Sequence, residues 1–399
     1  MNRKDLKVIV FLAYKNIIKA KSTFFVIIAV MAMSFLSITF FAAIIDGLGY
    51  EFEQGMIEGL TGHLMIEPTE DNLYLENTNT LVKNIKRIPG VVGVTSRLES
   101  SVVVKYKNTE MGIPVFFINP QDELKVSNFH ENMVLGEYLS QKDSNELIIG
   151  ADLIQSYALD DDTQKRLNVN VGDSVRLSFS NGYIEDFKVK GIFKTGSKFS
   201  DDKILINYNK YNEIFHTDDV ASKILIKLPN RGSEEYYKEK IIDLGVSDQI
   251  NPWQTKMGAV KQFVGSLQIV NKITGFIGLL TAFATIYIII FINVTNKRKQ
   301  IGILKAVGIK KEIILGSYVF QSIIYGVVGV IVGNIVMQIL LVILTMRPLA
   351  MPIGDVVPIL TINRLITTSV TLVFASVVAG YFPSKKAANE NILDAIFGG

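Results

Sequence analysis

The chain has 399 residues, of which 49% are hydrophobic and only 20% charged, with a formal net charge of +3. It contains no cysteine and three histidines, His63, His130 and His216. These counts exclude disulfide frameworks, thiolate metal sites and cysteine nucleophiles, and they speak against a histidine metal centre or a charge-driven nucleic-acid binder.

From the amino terminus, a basic segment (Arg3, Lys4, Lys7, Lys15, Lys19 and Lys21 against Asp5 alone) leads into a run without Asp, Glu, Lys or Arg from Phe24 to Ile45. Three further uncharged runs follow, Ile273–Asn296, Ile313–Met346 and Leu365–Ser384. Each reaches the ~20 residues that a helix needs to cross a hydrocarbon core of ~30 Å. The first is too long for a cleavable signal peptide, whose apolar stretch is about 7–15 residues. Four spanning helices are therefore expected. Residues 47–268 hold 32 Asp/Glu against 24 Lys/Arg, whereas Lys297, Arg298, Lys299, Lys305, Lys310 and Lys311 crowd the loop between the second and third spans, and Lys385 and Lys386 follow the fourth. Retention of basic residues in the cytoplasm places both termini and the 297–312 loop inside and the long segment outside. The expected fold class is an α-helical membrane domain of four transmembrane helices with a large extracytoplasmic α+β domain inserted between helices 1 and 2. Its parts are an amphipathic amino terminus (1–23), spans at 24–46, 269–296, 313–346 and 365–384, the outer domain (47–268), an external loop (347–364) and a tail (385–399).

Within the outer domain the long apolar runs give way to short alternating ones. His63–Pro68, Val91–Val94, Ser100–Lys107, Ile113–Ile118, Ser222–Leu228 and Val246–Ile250 read as strands, and Thr80–Ile88 and Gly232–Leu244 as helices, the second with Ser233 as N-cap. They form a discontinuous α+β subdomain of residues 47–120 and 222–255. Residues 121–221 read as a β-rich insert. Here Glu146–Gly150 precedes a short helix, Ala151–Tyr157, and Asn181-Gly182 joins strands Ser174–Ser180 and Tyr183–Ile192 as a tight hairpin, with Lys203–Ile206 following. Residues 256–268 form a stalk. Asp160–Asp162, Asp201-Asp202 and Asp218-Asp219 lack the glycine and terminal glutamate of a calcium loop and read as solvated loops. The phosphate-cradling Gly-x4-Gly-Lys-Ser/Thr pattern is absent, as are Gly-x-Ser-x-Gly and His-Glu-x-x-His.

The spans carry only uncharged polar groups, among them Ser34, Ser37, Thr39, Asn293, Gln321, Asn334 and Gln338, which argues against proton- or ion-coupled transport. Gly326, Gly329 and Gly333 make one face of the third span smooth, for close helix contact within the chain or between protomers, or as ordinary glycine tolerance in a membrane helix. In the inner loop, Ile301, Leu304, Ala306 and Val307 fall near one face of a short helix, Lys299 and Lys305 on the others, and Gly308 stops it. That helix is either an interfacial element held by headgroups or a lever that docks into a cytoplasmic partner.

The stretch Lys297–Gly308 resembles the coupling helix of the FtsX-like ABC transporter permeases. Gly380-Tyr-Phe-Pro-Ser-Lys-Lys-Ala-Ala388, with Leu393-Asp-Ala-Ile396, is similar to that family's carboxy-terminal ending. Asp46–Glu53, Gly150–Leu153 and Val171–Asp173 point to the lipoprotein-releasing and macrolide-exporter branches. The resemblance implies a permease working as a homo- or heterodimer in the cytoplasmic membrane of a prokaryote, with separate ATPase subunits that bind ATP and Mg and no cofactor in this chain. ATP-driven motion would enter at Lys299, Gln300, Ile301, Leu304, Lys305, Ala306 and Gly308 and emerge outside as mechanotransmission. The chain itself would not be an enzyme. Gln300 stands where the family commonly has Glu, so that contact with the ATPase would be a hydrogen bond. The tight Asn181-Gly182 hairpin has no room for the hook by which one lipoprotein-releasing subunit grips its carrier. The implied cargo is a lipoprotein, lipid or other hydrophobic substrate, with an external adaptor or carrier as a further partner. It would be met by Phe40, Phe41, Ile44 and Leu48 facing Ile269 and Phe276, side chains that lipid contact or dimer packing would equally explain. The alternative implied by the family is a transmembrane regulator of an external cell-wall hydrolase.

Overall fold

The structure, a computed structural model, describes residues 3–157, 165–351 and 354–391. Asp160–Asp162 and Leu393–Ile396 lie outside the described residues. The helices in chain order are α1 (Arg3–Lys19), α2 (Lys21–Gly55), α3 (Thr78–Ile85), α4 (Pro120–Glu123), α5 (Lys198–Asp201), α6 (Tyr208–Phe215), α7 (Glu234–Ile242), α8 (Gly258–Asn296), α9 (Arg298–Ala306), α10 (Lys311–Met346) and α11 (Ile362–Asn389). The chain falls into two compact units, one of residues 1–48, 263–349 and 356–399 and the other of residues 49–262 and 350–355.

In the first unit the four uncharged runs coincide with α2, α8, α10 and α11, each long and apolar enough to cross a membrane. Their shared core includes Ile27, Met31, Phe35, Ile286, Ile290, Tyr325 and Leu372. Hydroxyls within the helices bond back to carbonyls one turn earlier, as Thr39 does to Phe35 at 2.7 Å and Ser322 to Tyr318 at 2.9 Å. Ser376 also reaches the Ser322 carbonyl of α10 at 3.2 Å, a polar tie between helices where no water competes. The segment before α11 lies along α2: Ile359 N–H donates to Ala43 O at 2.9 Å and Arg364 pairs with Asp46 at 2.8 Å.

The strands of the second unit are β1 (Leu64–Glu67), β2 (Leu75–Glu76), β3 (Gly93–Tyr106), β4 (Thr109–Ile118), β5 (Met133–Gly136), β6 (Glu146–Gly150), β7 (Ser174–Phe179), β8 (Ile184–Phe193), β9 (Ile204–Asn207), β10 (Val220–Ala221), β11 (Lys223–Lys227) and β12 (Gln249–Pro252). Among the described residues ten of them form one sheet in the order β12-β1-β11-β3-β4-β9-β6-β8-β5, with β7 bridging β3 and β8. The sequence separates Val91–Val94 from Ser100–Lys107 and residues 121–221 from their flanks, whereas the structure joins both. The 14-residue β3 pairs through Gly93–Arg97 with β11, through Val102–Lys105 with β7 and through Arg97–Tyr106 with β4, so subdomain and insert share a sheet. The polar Arg97 hides this continuity in the sequence. Its side chain is fully buried, paired with the equally buried Glu123, and donates to Gly59 O at 2.7 Å in the π-helical turn Met56–Thr61 that follows α2. Phe116 and Phe129 cover its guanidinium.

Several local expectations change. Ala151–Tyr157 is two 3₁₀ turns rather than one helix, and α6 adds a helix that the sequence reading does not contain. At Asn181-Gly182 only Gly182 takes a positive φ, 82°; Gly182 N–H donates to Phe179 O and Phe179 N–H to Tyr183 O, so the hairpin is a three-residue loop, Ser180–Gly182, ending in a left-handed glycine, not the two-residue form. Ser233 does not cap α7, since its hydroxyl donates to Asn230 O, and Glu234 instead accepts from Gly232 N–H and the Trp253 indole. Asp201 and Asp219 are not solvated loop residues. Asp219 accepts from the Thr78 hydroxyl and Asn79 N–H and so caps α3 from a distant part of the chain. Asp201, 2% exposed, accepts from Thr195 and Gly196, and burial pushes its carboxyl up to about 6. Burial likewise holds the His63 imidazole down to about 4, neutral and accepting from Leu228 N–H.

Removing one member of the Arg97–Glu123 pair leaves a buried, uncompensated charge. Glu123→Ala should destabilise the second unit by about 3–5 kcal/mol, whereas an Arg97→Met/Glu123→Leu double variant should recover most of that loss. Denaturant unfolding followed by fluorescence of Trp253, the only tryptophan, reads the difference.

Candidate functional site

The loop between α8 and α10 folds as the helix α9 because each of its ends is satisfied. At its carboxy end Gly308 takes φ 94°, its N–H donates to Lys305 O and Ile309 N–H donates to Leu304 O, both at 3.0 Å. This paired closure with a left-handed glycine stops the helix and turns the chain into α10. Ile301 and Gly302 are the buried residues of α9, and Ile301 joins the core of the bundle.

Polar contacts hold α9 on both sides. The Lys305 ammonium donates to Ala388 O at 2.9 Å and to Glu390 O, carbonyls at the end of α11 that have no partner within their own helix. Arg298, at the other end of α9, pairs with the Glu390 carboxylate. Lys297 donates to Asn16 of α1 at 2.7 Å, and burial together with the neighbouring Lys19 lowers its ammonium below the usual lysine range. α1 is itself seated on α10 through Ile9, which lies so close to Gly316 that a Cβ there would stand 2.8 Å from it. A small cavity of about 40 Å³, bordered by Asn16, Gln300, Leu304 and Tyr318, separates α1, α9 and α10.

Of the expected coupling residues, Lys299, Gln300, Ala306 and Gly308 are exposed, Leu304 and Lys305 are half-buried and Ile301 is buried. The expected apolar face is thereby divided. Ile301 points inward while Ala306 and Val307, the latter 79% exposed, point outward. Lys305 turns in, drawn by the α11 carbonyls. The outward surface is Lys299, Gln300, Ile303, Ala306 and Val307, and the residues that the expected coupling set does not contain are Arg298, Ile303, Asn16 and Glu390. A basic residue followed some 85 positions later by a helix end offers no local pattern that could have revealed the link.

The six residues named for cargo do not form one surface. Phe40 packs against the bundle core, Phe41 and Ile44 are half-buried and Leu48 is buried, whereas Ile269 and Phe276 are about 60% exposed, at 60% and 61%. On α2, Ile38 lies against Gly275 and Gly278 of α8, and the Ser34 carbonyl also faces Gly278. Ile38 and Phe276 border a cleft of about 200 Å³ that Leu279, Thr368 and Thr371 complete. Gly326, Gly329 and Gly333 contact helices of the same chain. A Cβ on Gly326 would lie 2.3 Å from Ser376 Oγ, on Gly329 2.4 Å from Met31 Cβ and on Gly333 2.9 Å from Phe35 Cβ. Among the described residues no three His, Asp or Glu side chains gather where they could hold a metal ion.

Four long apolar helices, with a short helix stapled between the second and third, define a multi-pass membrane protein. Residues 272–392 match the family described as FtsX-like permease C-terminal. The lipoprotein-releasing system transmembrane protein LolC of Buchnera aphidicola is 22% identical over 357 residues, covering 86% of this chain and 85% of that protein. HrtB of Staphylococcus haemolyticus, a permease named for a hemin transport system, is 24% identical over 260 residues, 63% of this chain and 65% of that one. Among solved structures, the periplasmic region of MacB from Actinobacillus actinomycetemcomitans aligns with 51% of this chain and 95% of its own at 15% identity and a TM-score of 0.34.

The glycine contacts predict opposite outcomes for one substitution. Gly329→Ala drives a methyl into Met31 and should lower stability by about 1–3 kcal/mol. Gly265→Ala in α8, where a Cβ meets nothing within 4 Å, should raise it by about 0.5–1 kcal/mol through helix propensity. Thermal unfolding of the full chain in detergent compares the two.

Proposed function

We propose that the chain is the membrane-spanning subunit of an ABC transporter in which a separate ATPase, binding ATP and Mg, pushes on α9. The observation that carries this reading is the attachment of α9 at both ends. Lys305 and Arg298 hold it to α11, Lys297 holds it to α1, and Ile301 anchors it in the core, while Lys299, Gln300, Ile303, Ala306 and Val307 stay outward. A helix held this way moves with its bundle rather than on a loose loop, and its outward residues offer a partner an apolar centre with a polar rim. α1, α9 and the end of α11 face the cytoplasm in this reading, because the basic residues concentrate there, and the inserted domain faces outward in the cytoplasmic membrane of a prokaryote. The second permease is another copy of this chain or a homologous one.

Motion entering at α9 leaves the membrane through α2 and α8. These helices have 35 and 39 residues, far more than the ~20 that span a bilayer. The work done outside is extraction or export of an amphiphile, a class that includes both a lipoprotein and hemin, the substances for which two relatives are named. The cleft beside Ile38 and Phe276, together with exposed Ile269, is the first place where its apolar part would be met. An external adaptor or carrier remains part of this proposal.

Two measurements test it. Val307→Asp and Ile303→Asp place a charge on the outward face without touching the staples, so each should cut stimulated ATP turnover by about tenfold, the scale of an interface hot spot, at an unchanged melting temperature. Lys305→Met should keep the ATPase bound while uncoupling turnover from transport. Full turnover in Val307→Asp would remove α9 as the contact. Orientation is read independently. Because the chain has no cysteine, Lys299→Cys and Glu239→Cys provide unique labels, and an impermeant maleimide added to intact cells should modify only the second.

A further inference from the structure

The staple between α9 and α11 borders a second cleft that coupling does not use. Its volume is about 330 Å³, and it opens between the last turns of α8 and of α11. Phe291 and Val294 of α8 and Pro383 and Ala387 of α11 form its apolar walls, with Thr295 at the mouth. Arg298 and Lys386 stand at its basic end. Three observations bear on what it takes. Arg298 spends Nη2 on Glu390, but its Nε is shielded and has no hydrogen-bond partner among the described residues. A shielded, unpaired guanidinium donor signals a missing acceptor. Lys386 is exposed and makes no ion pair among the described residues, so the positive charge at the cleft exceeds what Glu390 neutralises. Finally, Ile288, Phe291, Ile292 and Phe382, all exposed, line the helix surfaces beside the opening where hydrocarbon would lie.

We infer that this cleft binds an anionic phospholipid. Its phosphate would accept from the Arg298 guanidinium and Lys386 Nζ, its glycerol would sit at Thr295, and its chains would run along Phe291 and Ile288. The chemistry is that of a basic pocket between spanning helices at the membrane surface, which selects lipids by headgroup charge and holds them by their apolar part. A free phosphate would use the cations alone and leave the four apolar wall residues uncovered, so the lipid accounts for the whole cleft. A carboxylate from a protein partner would engage the same cations but, like free phosphate, would leave those apolar walls uncovered, whereas the chains of a lipid cover them. The site rests on reading α8 and α11 as membrane spans and not on the coupling role of α9. Bound there, the lipid would share Arg298 with Glu390 and so reinforce the junction of α8, α9 and α11.

The test uses the full chain alone, with no ATPase. Purified protein, delipidated in detergent, is titrated with phosphatidylglycerol or with phosphatidylcholine of the same chains, and bound lipid is counted by native mass spectrometry. One phosphatidylglycerol per chain should be retained, at least about fivefold in preference to phosphatidylcholine, the scale of one basic residue at a lipid surface. Lys386→Glu should abolish the preference and Lys386→Arg should keep it. Thr295→Phe narrows the mouth without changing charge and should weaken both lipids. Lys311→Gln, at the start of α10 and not lining the cleft, should change nothing. If Lys386→Glu does not fold, Lys386→Gln carries the same comparison. Equal retention of the two lipids, or undiminished phosphatidylglycerol binding in the Lys386 and Thr295 variants, would overturn the assignment. Displacement of phosphatidylglycerol by millimolar inorganic phosphate would also overturn it, identifying a soluble anion as the ligand.

Discussion

A helix ends with backbone carbonyls that its own turns cannot satisfy, and at the end of α11 the donor that meets them is the ammonium of Lys305 on α9. One interaction thereby sets the orientation of α9. With Lys305 turned toward α11, a rotation of about 100° per residue carries Ile301 into the core and Ile303 and Val307 out of it. The Arg298–Glu390 pair then fixes the other end, so that α9 cannot tilt without breaking a charge-assisted contact at one terminus or the other.

Close packing gives that attachment mechanical consequence. α10 presents Gly326 to α11 and Gly329 and Gly333 to α2, at separations where a single Cβ would not fit. Gly316 admits Ile9 of α1 in the same way. Helices that meet at backbone distance have no soft layer of long side chains between them, and such interiors pass displacement on rather than absorb it. The glycine face is therefore already occupied inside one chain, which leaves a protomer contact to be sought on other surfaces.

The membrane part was legible because the bilayer imposes a rule that composition obeys: charge disappears for ~20 residues wherever a helix crosses it. The edges of those elements were less clear, since α2 and α8 continue through polar sequence on helical hydrogen bonds alone. In the sheet the alternation of β4, β6 and β11 showed through, but β3 was read as two pieces because Arg97 has the character of a surface residue and is in fact buried against Glu123. Asp201 and Asp219 were misread for a related reason. A carboxylate in a loop sequence looks solvated until the donors that surround it, Thr195 and Gly196 in one case and Thr78 and Asn79 in the other, are brought in by the fold. At the candidate site the helix itself, its glycine stop and its basic character were local and readable. Which lysine faced inward was decided by Ala388 and Glu390, and no property of residues 297–308 encodes those positions.

The proposed route of force also constrains where cargo can be handled. A helix of 39 residues is roughly 60 Å long at ~1.5 Å per residue, about twice the ~30 Å hydrocarbon thickness. At the far end of α2, Arg97 donates to Gly59 O and thereby ties the π-helical turn Met56–Thr61 to β3. That turn is where a rigid helix gives way to the sheet, and a guanidinium with 0% exposure leaves it little freedom to slip. The turn is thereby fixed to β3, the strand that pairs with β4, β7 and β11.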